Sequence, residues 1–544
     1  MYKNKPILLA VLSGCLLWAS WPVSPLTFLI FIAFVPLLWV ENTCTRIGRF
    51  FGYAFITLLI WNSATTWWIC NSTVPGGISA IIANSLIMCI PWLLFYVIKR
   101  RLGQATGYTA LIVLWLSFEY IHLNWQLSWP WLTLGNVFAS RPAWVQWYEY
   151  TGTSGGSLWI LAVNILLFHW LTVTGQHRKV RGRPSVYILL LILIPILVSA
   201  FIEPAIPTAI TGNRNIVVVQ PNIDPYEKFQ PGSQEGQLTL LISLSESKID
   251  TNTSLVVWPE TALNFSSGLD ETRLRESQFL EPIWQFLRRH PRLKLISGIE
   301  GFRLYDILTK STTAKRIPDT DQYYDTYNTA ALLDSSGALT LYHKSKLVPG
   351  VETLPTFLRF IDTWFEQFGG TSGGYASQAE RTVLTDPQSG FRIAPAICYE
   401  SIYGEFLAEY IRNGANVIGI ITNDGWWANT SGHKQHMQYA RLRAIESRRW
   451  IVRSANTGIS CFISPVGEIF DAQPWDQAAA IKRDIIPYQV LSFYVSYGDI
   501  ISKSALVICG FLLLIFCYTW AVSRVKGSSS IKAPDLLHSS VKNK

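Results

Sequence analysis

Ile393-Ala394-Pro395-Ala396-Ile397-Cys398-Tyr399-Glu400 is an apolar run that ends on a thiol, an aromatic ring and a carboxylate. A short apolar run rich in branched residues reads as a strand buried on both faces, which belongs to a layered sheet domain. Its carboxyl end is where such sheets place their chemistry. Two other stretches share this form. Leu255-Val256-Val257-Trp258-Pro259-Glu260 ends on a carboxylate, and Tyr342-His343-Lys344-Ser345-Lys346-Leu347-Val348-Pro349 ends a hairpin strand with two amines. Around them the spacing predicts strands over 216–220, 255–258, 293–299, 326–333, 339–343, 392–398, 416–422, 451–455 and 460–464, and helices over 234–248, 272–289, 404–413 and 433–449. The Asp334-Ser335-Ser336-Gly337 turn joins two strands as a hairpin. This is a mixed α/β layer domain without internal repeats.

Outward from that domain the composition changes. Of 544 residues 49% are hydrophobic and only 15% charged, against about one charged residue in four for an ordinary soluble domain. A wholly soluble enzyme, a disordered chain and a disulfide-stapled module are thereby excluded. Residues 1–203 are apolar runs broken by short polar loops, and they hold fifteen of the 23 tryptophans. A bilayer core takes about 20 apolar residues in helical form. By that measure spans are expected at 7–18, 26–40, 51–68, 78–98, 108–120, 158–174, 186–201 and 504–523, eight in all. Lys3 and Lys5 ahead of the first run suggest a signal peptide, but Ala19-Ser20-Trp21-Pro22 is a poor cleavage site, so the run reads as retained.

Basic residues orient the chain, because short cytoplasmic loops carry the Lys and Arg excess. Alternate loops and both ends hold sixteen of them, including Arg46, Arg49, Lys99, Arg100, Arg101, Arg178, Lys179, Arg181 and Arg183, whereas the intervening loops hold only Arg141. Both termini then lie inside and the globular domain outside the cytoplasm. The expected division is 1–203 with seven spans, 204–500 globular, and 501–544 with the last span and a cytoplasmic tail. The inner segments, with Glu41 and Asp535 their only acidic residues, carry +14 against a total of +9, so the basicity is topological and nucleic acid is not a partner. Of eight cysteines only Cys398 and Cys461 lie in the external domain, and no Cys or His spacing indicates a metal or redox pair.

A thiol attacks a carbonyl as thiolate, so it needs a base to take its proton and a cation to steady the developing oxyanion. Glu260, Lys344 and Cys398 supply these roles from three strand ends. Taken singly, each has a bland reading: a cap, a surface charge, a packed thiol. Lys346 competes with Lys344, since strand alternation puts both on one face. His433 and His436 share a helix face without a convincing third ligand, which favours a structural role. Cys461 reads as core, and Glu119 as either an interfacial residue or an intramembrane functional carboxylate.

In order, Val257-Trp258-Pro259-Glu260, Lys344 within its stretch, and Cys398-Tyr399-Glu400 resemble the Glu, Lys and Cys motifs of the nitrilase (carbon-nitrogen hydrolase) superfamily. With seven spans before the domain and one after, the whole chain resembles the apolipoprotein N-acyltransferase family. The likeness runs on through Val218-Val219-Gln220-Pro221-Asn222-Ile223, Asn423-Asp424-Gly425-Trp426 and His433-Lys434-Gln435-His436-Met437-Gln438. The resemblance implies a polytopic α-helical membrane domain of about eight spans carrying an α/β nitrilase-like αββα sandwich. It also implies a two-step acyl transfer in a bacterial inner membrane, with the catalytic domain periplasmic. Cys398 would take an acyl chain from a phospholipid as a thioester, then pass it to the amine of a lipoprotein's diacylglyceryl-cysteine. Glu260 would be the base and Lys344 would hold the tetrahedral intermediate. Glu352 and Glu400 would support or orient these groups, and Tyr399, Trp426 and Trp427 would line a lipid-facing pocket. No cofactor and no metal is implied, and a monomer is expected.

Two positions depart from the family pattern, which has Pro-Phe-Gly-Glu where this chain reads Pro349-Gly350-Val351-Glu352 and a Trp where it has Phe229. Trp125, Trp129, Trp131, Trp144 and Trp147 form an outer loop that reads either as an aromatic belt or as a lipid access route. The competing functions are a membrane-anchored amidase that uses water, and a scaffold or transporter with an inactive domain.

Overall fold

The computed structural model describes residues 5–176, 182–202, 214–230, 232–265, 268–357 and 374–529. The expected domain boundary at 203/204, the basic residues Lys3, Arg178, Lys179 and Arg181, and the tail from 530 lie outside them.

Seven helices precede the α/β domain: α1 (Lys5–Ser20), α2 (Val35–Thr43), α3 (Ile47–Thr66), α4 (Val74–Leu102), α5 (Gln104–Leu123), α6 (Tyr148–Gln176) and α7 (Gly182–Phe201). Their positions follow the expected runs, but their lengths differ. Among the described residues only Val74–Leu102, Tyr148–Thr172 and the closing helix over Ile500–Ser523 are long and apolar enough to cross a membrane by length and composition. The second run is not one helix: a 3-10 turn over Thr27–Phe31 precedes α2, whose first turn holds Pro36. Proline has no N–H to donate and clashes with the preceding turn, so it fits at a helix start and blocks extension backward. Within α6 the chain kinks at Gly152, with φ of 62°, where a Cβ would lie 2.3 Å from the Tyr494 ring.

The domain holds two sheets. Fourteen strands are described: β1 (Asn215–Gln220), β2 (Thr253–Val257), β3 (Leu269–Asp270), β4 (Lys294–Tyr305), β5 (Lys315–Arg316), β6 (Tyr323–Asp334), β7 (Leu339–His343), β8 (Leu384–Thr385), β9 (Arg392–Ile397), β10 (Val417–Thr422), β11 (Trp450–Ala455), β12 (Cys461–Ile463), β13 (Ile469–Phe470) and β14 (Ala479–Asp484). One sheet runs β14-β1-β2-β4-β6-β5, with β3 on β4 and β7 on β6; the other runs β13-β12-β11-β10-β9-β8. β1, β2 and β4 are mutually parallel, as are β9, β10 and β11.

Alternation along β1 builds the layers, because successive side chains point to opposite faces. Val217 and Val219 pack outward under α8 (Gln234–Glu246) and α9 (Glu281–Arg289), with Leu241, Ile283 and Phe286. Ile216 and Val218 belong to the other core, shared with Ile393, Ala394 and Ile418 of the second sheet. That sheet carries α10 (Gly404–Arg412) and α11 (Ser431–Ser447), and Ser454 Oγ donates to Val219 O at 2.7 Å across the sheets. The architecture is a helix–sheet–sheet–helix sandwich. It is followed by α12 (Phe493–Tyr497) and α13 (Ile500–Ser529).

The helix expected over 272–289 is corrected. Residues 274–280 form two 3-10 turns, and α9 begins only at Glu281, with Pro282 in its first turn. The apolar spacing is genuine, but proline forbids a helix from running through that point.

α11 seats the domain on the helical region. Trp131 Nε1 donates to Gln435 Oε1 at 2.7 Å, Tyr439 OH donates to Trp131 O at 2.9 Å, and Trp21 Nε1 donates to Tyr439 OH at 2.9 Å. Trp131 is therefore buried between the two regions and is no belt residue.

Candidate active site

Three strand ends of two different sheets meet at one point. β2 leads through Trp258 and Pro259 to Glu260, β7 leads to Lys344, and β9 leads to Cys398. Each side chain is buried, Lys344 to 1% exposure, so their charges act on one another with little screening.

Glu260 is fixed by its backbone and by its oxygens. Gly298 on the neighbouring β4 lies so close that a Cβ there would sit 2.3 Å from Thr261 N and 2.6 Å from Glu260 Cα. Glycine is thus required for the turn to lie against the strand. Oε1 accepts from Asn328 Nδ2 at 2.7 Å and from Lys344 Nζ at 3.3 Å, and Oε2 accepts from Asn423 N at 3.0 Å. Lys344 Nζ also donates to Glu352 Oε1 at 2.7 Å, and Glu352 Oε2 accepts from Val348 N at 2.8 Å. The lysine is thereby held between two carboxylates. Burial alone would lower it, but Glu352 and then Glu260 outweigh burial and hold the ammonium well above the usual lysine value.

Cys398 is the first residue after β9 and stands at φ of 52°. A non-glycine residue in this left-handed region is strained and is held only where its surroundings insist on it. Glu400 does so: its Oε2 accepts from Ile397 N at 2.9 Å, while Oε1 accepts from Tyr342 OH and Ser345 N at 2.6 Å each and from Lys346 N at 3.0 Å. One buried carboxylate therefore ties the Cys turn to the Lys bend. Below, His436 faces Cys398 O at 3.2 Å and Ser401 Oγ at 2.9 Å through Nε2, and Asp424 Oδ1 at 2.9 Å through Nδ1; Arg453 donates to Asp424 Oδ2 at 2.8 Å. His436 thus has a structural place under the nucleophile turn. Burial first, and the Glu260 charge second, push the Cys398 thiol above its ordinary value, and Lys344 offsets only part of this. At rest the group is a thiol, so attack requires a base.

Lys344 and Lys346 part company. The strand ends at His343 and the chain bends at Ser345 and Lys346, so the alternation rule no longer applies. Lys344 turns to the carboxylates, whereas Lys346 lies over the Tyr403 ring at 5.2 Å.

The aromatic residues form the side toward the helical region. Tyr399 is buried, and its OH donates to Ser128 O at 2.6 Å. Trp427 packs on Trp68 at 4.7 Å and on Trp131 at 5.4 Å, and Trp426 packs on Tyr226 at 5.4 Å. Phe229 is 38% exposed, and Gly350 takes a φ of 81° in the turn ahead of Glu352. Glu119 is buried, and its Oε1 accepts from Trp115 Nε1 at 2.9 Å and Leu134 N at 2.7 Å, anchoring the segment after α5. Cys461 is core. Among the described residues no three His, Cys, Asp or Glu side chains cluster as a metal site would.

Sequence reading passed over Lys228. It is fully buried, and its Nζ donates to Glu260 O at 2.9 Å and Thr261 Oγ1 at 2.8 Å. Burial lowers it to about 8. Its partners are a backbone carbonyl and a hydroxyl, and no sequence spacing records such contacts. Asn328 went unnoticed for a similar reason, being one polar position inside the long β6.

The Carbon-nitrogen hydrolase family profile matches residues 215–488, and the profile described as the Apolipoprotein N-acyltransferase N-terminal domain matches 13–166. The chain is 31% identical over 526 residues to a Chlorobaculum tepidum protein named apolipoprotein N-acyltransferase, covering 94% of this chain and 96% of that one. Proteins of the same name from Geobacter metallireducens and Pseudomonas aeruginosa are each 28% identical, over 91% and 80% of this chain and 92% and 81% of their own lengths.

Proposed function

Since the chain belongs to the apolipoprotein N-acyltransferase family, we propose how its own residues carry out the transfer. It is an acyltransferase of lipoprotein biosynthesis, in which a nitrilase-type domain is joined to an apolar helical region. The donor is a phospholipid and the acceptor the α-amine of a diacylglyceryl-cysteine lipoprotein. Eight spans at the eight apolar runs and an inner-membrane setting belong to this reading, and the distribution of basic residues supports an orientation with the domain in the periplasm. The domain boundaries expected at 203/204 and 500/501 and a monomeric state belong to the same reading.

In the first step Glu260 takes the Cys398 proton and the thiolate sulfur bonds to the ester carbonyl carbon. The carbonyl oxygen becomes an oxyanion beside the Lys344 ammonium, whose charge Glu352 helps to maintain. The C–O bond breaks, Glu260 returns the proton to the departing lysophospholipid oxygen, and an acyl thioester remains. In the second step the nitrogen of the incoming neutral amine bonds to the thioester carbon, Glu260 takes a proton from that nitrogen, and the C–S bond breaks as sulfur regains the proton from Glu260. Glu400 keeps the Cys and Lys turns in register, and Tyr399, Trp426 and Trp427 form the apolar side that receives lipid.

The observation that carries this reading is the joining of a strained thiol to a Lys held by two carboxylates, all buried and closed off on the helical side by Trp68, Trp131 and Trp427. A site that excludes water favours an amine acceptor over hydrolysis. The helical region matched over 13–166 also favours transfer over the amidase reading. The test is to supply proteoliposomes with a diacylglyceryl-cysteine peptide and weigh the products. The expected result is N-acylated peptide and lysophospholipid in equal amounts; free fatty acid with unmodified peptide would favour the amidase.

A further inference from the structure

Behind the Cys turn lies a second feature, a cavity of about 340 Å³ where α10 meets the ends of α5 and α13. Its walls include Tyr120, Asn124, Lys346, Arg381, Tyr403 and Lys503. The charges in it do not balance by pairing. Lys503 Nζ is held by Glu405 at 2.6 Å, Arg381 Nε faces Glu409 at 3.3 Å, and Arg443 is held by Glu446 at 2.7 Å. The remaining carboxylate, Asp499, accepts from Ser154 Oγ at 2.6 Å and Ser502 N at 2.9 Å. Lys346 has no carboxylate within ion-pair distance among the described residues and rests on the Tyr403 ring alone. Burial, and then the Arg381 charge beside it, lower its ammonium below the usual lysine value, and the Glu400 and Glu409 charges offset only part of this. A half-buried cation beside another cation is thus only partly compensated, and an anion entering the cavity completes the balance.

The position of the cavity indicates the source of that anion. It opens at the N-terminal end of α13, one of the helices apolar enough to cross a membrane. Below it Val507, Ile508, Phe511, Leu514 and Ile515 expose a continuous apolar face. A lipid lying with one chain on that face would present its phosphate at the level of the cavity. Lys346 is also only two residues beyond Lys344, so the cavity wall and the catalytic lysine stand on one bend of the chain.

We propose that this cavity is the phosphate subsite for the phospholipid donor, with Lys346 and Arg381 as its cationic wall and the acyl chain that is not transferred lying along α13. The subsite rests on the donor reading given above. Arg381 is preorganised, its Nη1 donating to Ser345 Oγ at 3.0 Å and Ala379 O at 2.7 Å. Lys346 is the adaptable partner and supplies a point charge to a phosphodiester.

The test measures thioester formation on the full-length protein in mixed micelles, comparing phosphatidylglycerol with diacylglycerol, which has the esters but no phosphate. Lys346→Met is expected to raise the apparent KM for phosphatidylglycerol about tenfold, the worth of one charge-assisted hydrogen bond, with kcat unchanged and with no effect on diacylglycerol. Lys346→Arg is expected to restore the wild-type KM, and Lys482→Ala, far from the cavity, to leave it alone. An equal rise in KM for diacylglycerol, or a fall in kcat alone, would overturn the subsite. Competition by inorganic phosphate at the concentration that saturates the wild type would overturn the lipid as its occupant. Should the wild type form no thioester with any lipid, the donor reading fails, and the subsite is then judged by native mass spectrometry from phosphatidylglycerol nanodiscs. Retained lipid that is lost in Lys346→Met/Arg381→Gln supports it; equal retention in both proteins overturns it.

Discussion

Two buried ion clusters in this molecule use the same groups in opposite proportions. In the helical region Glu41, with no exposed surface, is shared by Lys99 and Arg100. Arg100 also donates to Glu41 O at 2.9 Å and Cys44 O at 2.7 Å and lies over the Tyr96 ring at 3.3 Å. In the domain a single cation, Lys344, is shared by Glu260 and Glu352 next to a thiol. The first cluster has two cations for one carboxylate, and its neighbour Cys44 enters it only through its carbonyl, with Sγ turned to Arg46 O at 3.4 Å; it holds α2 to α4. The second has a carboxylate in excess of its cation. That surplus is what allows Glu260 to accept a proton while Lys344 stays charged. Stoichiometry beside a thiol, more than burial, separates a structural ion cluster from a chemical one.

The comparison is broken most sharply by removing from each cluster the charge that its partners share. Lys344→Met is expected to lower kcat by about a thousandfold, as loss of an oxyanion-stabilising charge does, and a variant retaining even a tenth of the wild-type rate would show that the oxyanion is held elsewhere. Glu41→Gln is expected to leave the rate per folded molecule intact but to destabilise the protein by about 3 kcal/mol, since it strands the buried Lys99. Thermal inactivation in detergent measures the second effect; a loss of kcat without a loss of stability would contradict the structural assignment.

A subtler contrast lies in pH. The Glu260 charge raises the Cys398 thiol and the Lys344 charge lowers it, on top of the rise from burial. Removing a charge that raises a pKa lets thiolate appear at lower pH, and removing one that lowers it does the reverse. Iodoacetamide labelling of Cys398, followed by peptide mass mapping, is therefore expected to move to lower pH in Glu260→Gln and to higher pH in Lys344→Met. Shifts of the same sign in both would refute the electrostatic account. At the small end, Lys482 and Asp250 form a half-exposed pair on the sheet edge, and Lys482→Ala is expected to change stability by less than about 1 kcal/mol.

Much of this was legible in the sequence, for identifiable reasons. β2, β7 and β9 are apolar runs with abrupt polar ends, so both the strands and the groups they deliver could be read directly. The edge strands β3, β5, β8 and β13 are two residues long, too short to carry a period. β14 pairs antiparallel with β1 from across the domain, and its Ala479-Ala480-Ile481-Lys482-Arg483-Asp484 has only a brief apolar start. Pro282 and Pro36 were visible signals that outranked apolar spacing, and each marks where an expected helix is cut short. The separation of Lys344 from Lys346 was illegible because it depends on a bend set by Glu400, fifty-four residues from Lys346 along the chain. Lys228 was illegible because it binds main chain.

The central claim is that Cys398 carries the acyl chain between donor and acceptor. Its most direct test is the intact mass of the full-length protein after incubation with phospholipid, beside Cys398→Ala. The expected result is an acyl-sized adduct that hydroxylamine removes, that a diacylglyceryl-cysteine peptide discharges, that persists in water, and that Cys398→Ala never forms. A folded wild-type protein with no adduct, or an adduct that survives in Cys398→Ala, would contradict it.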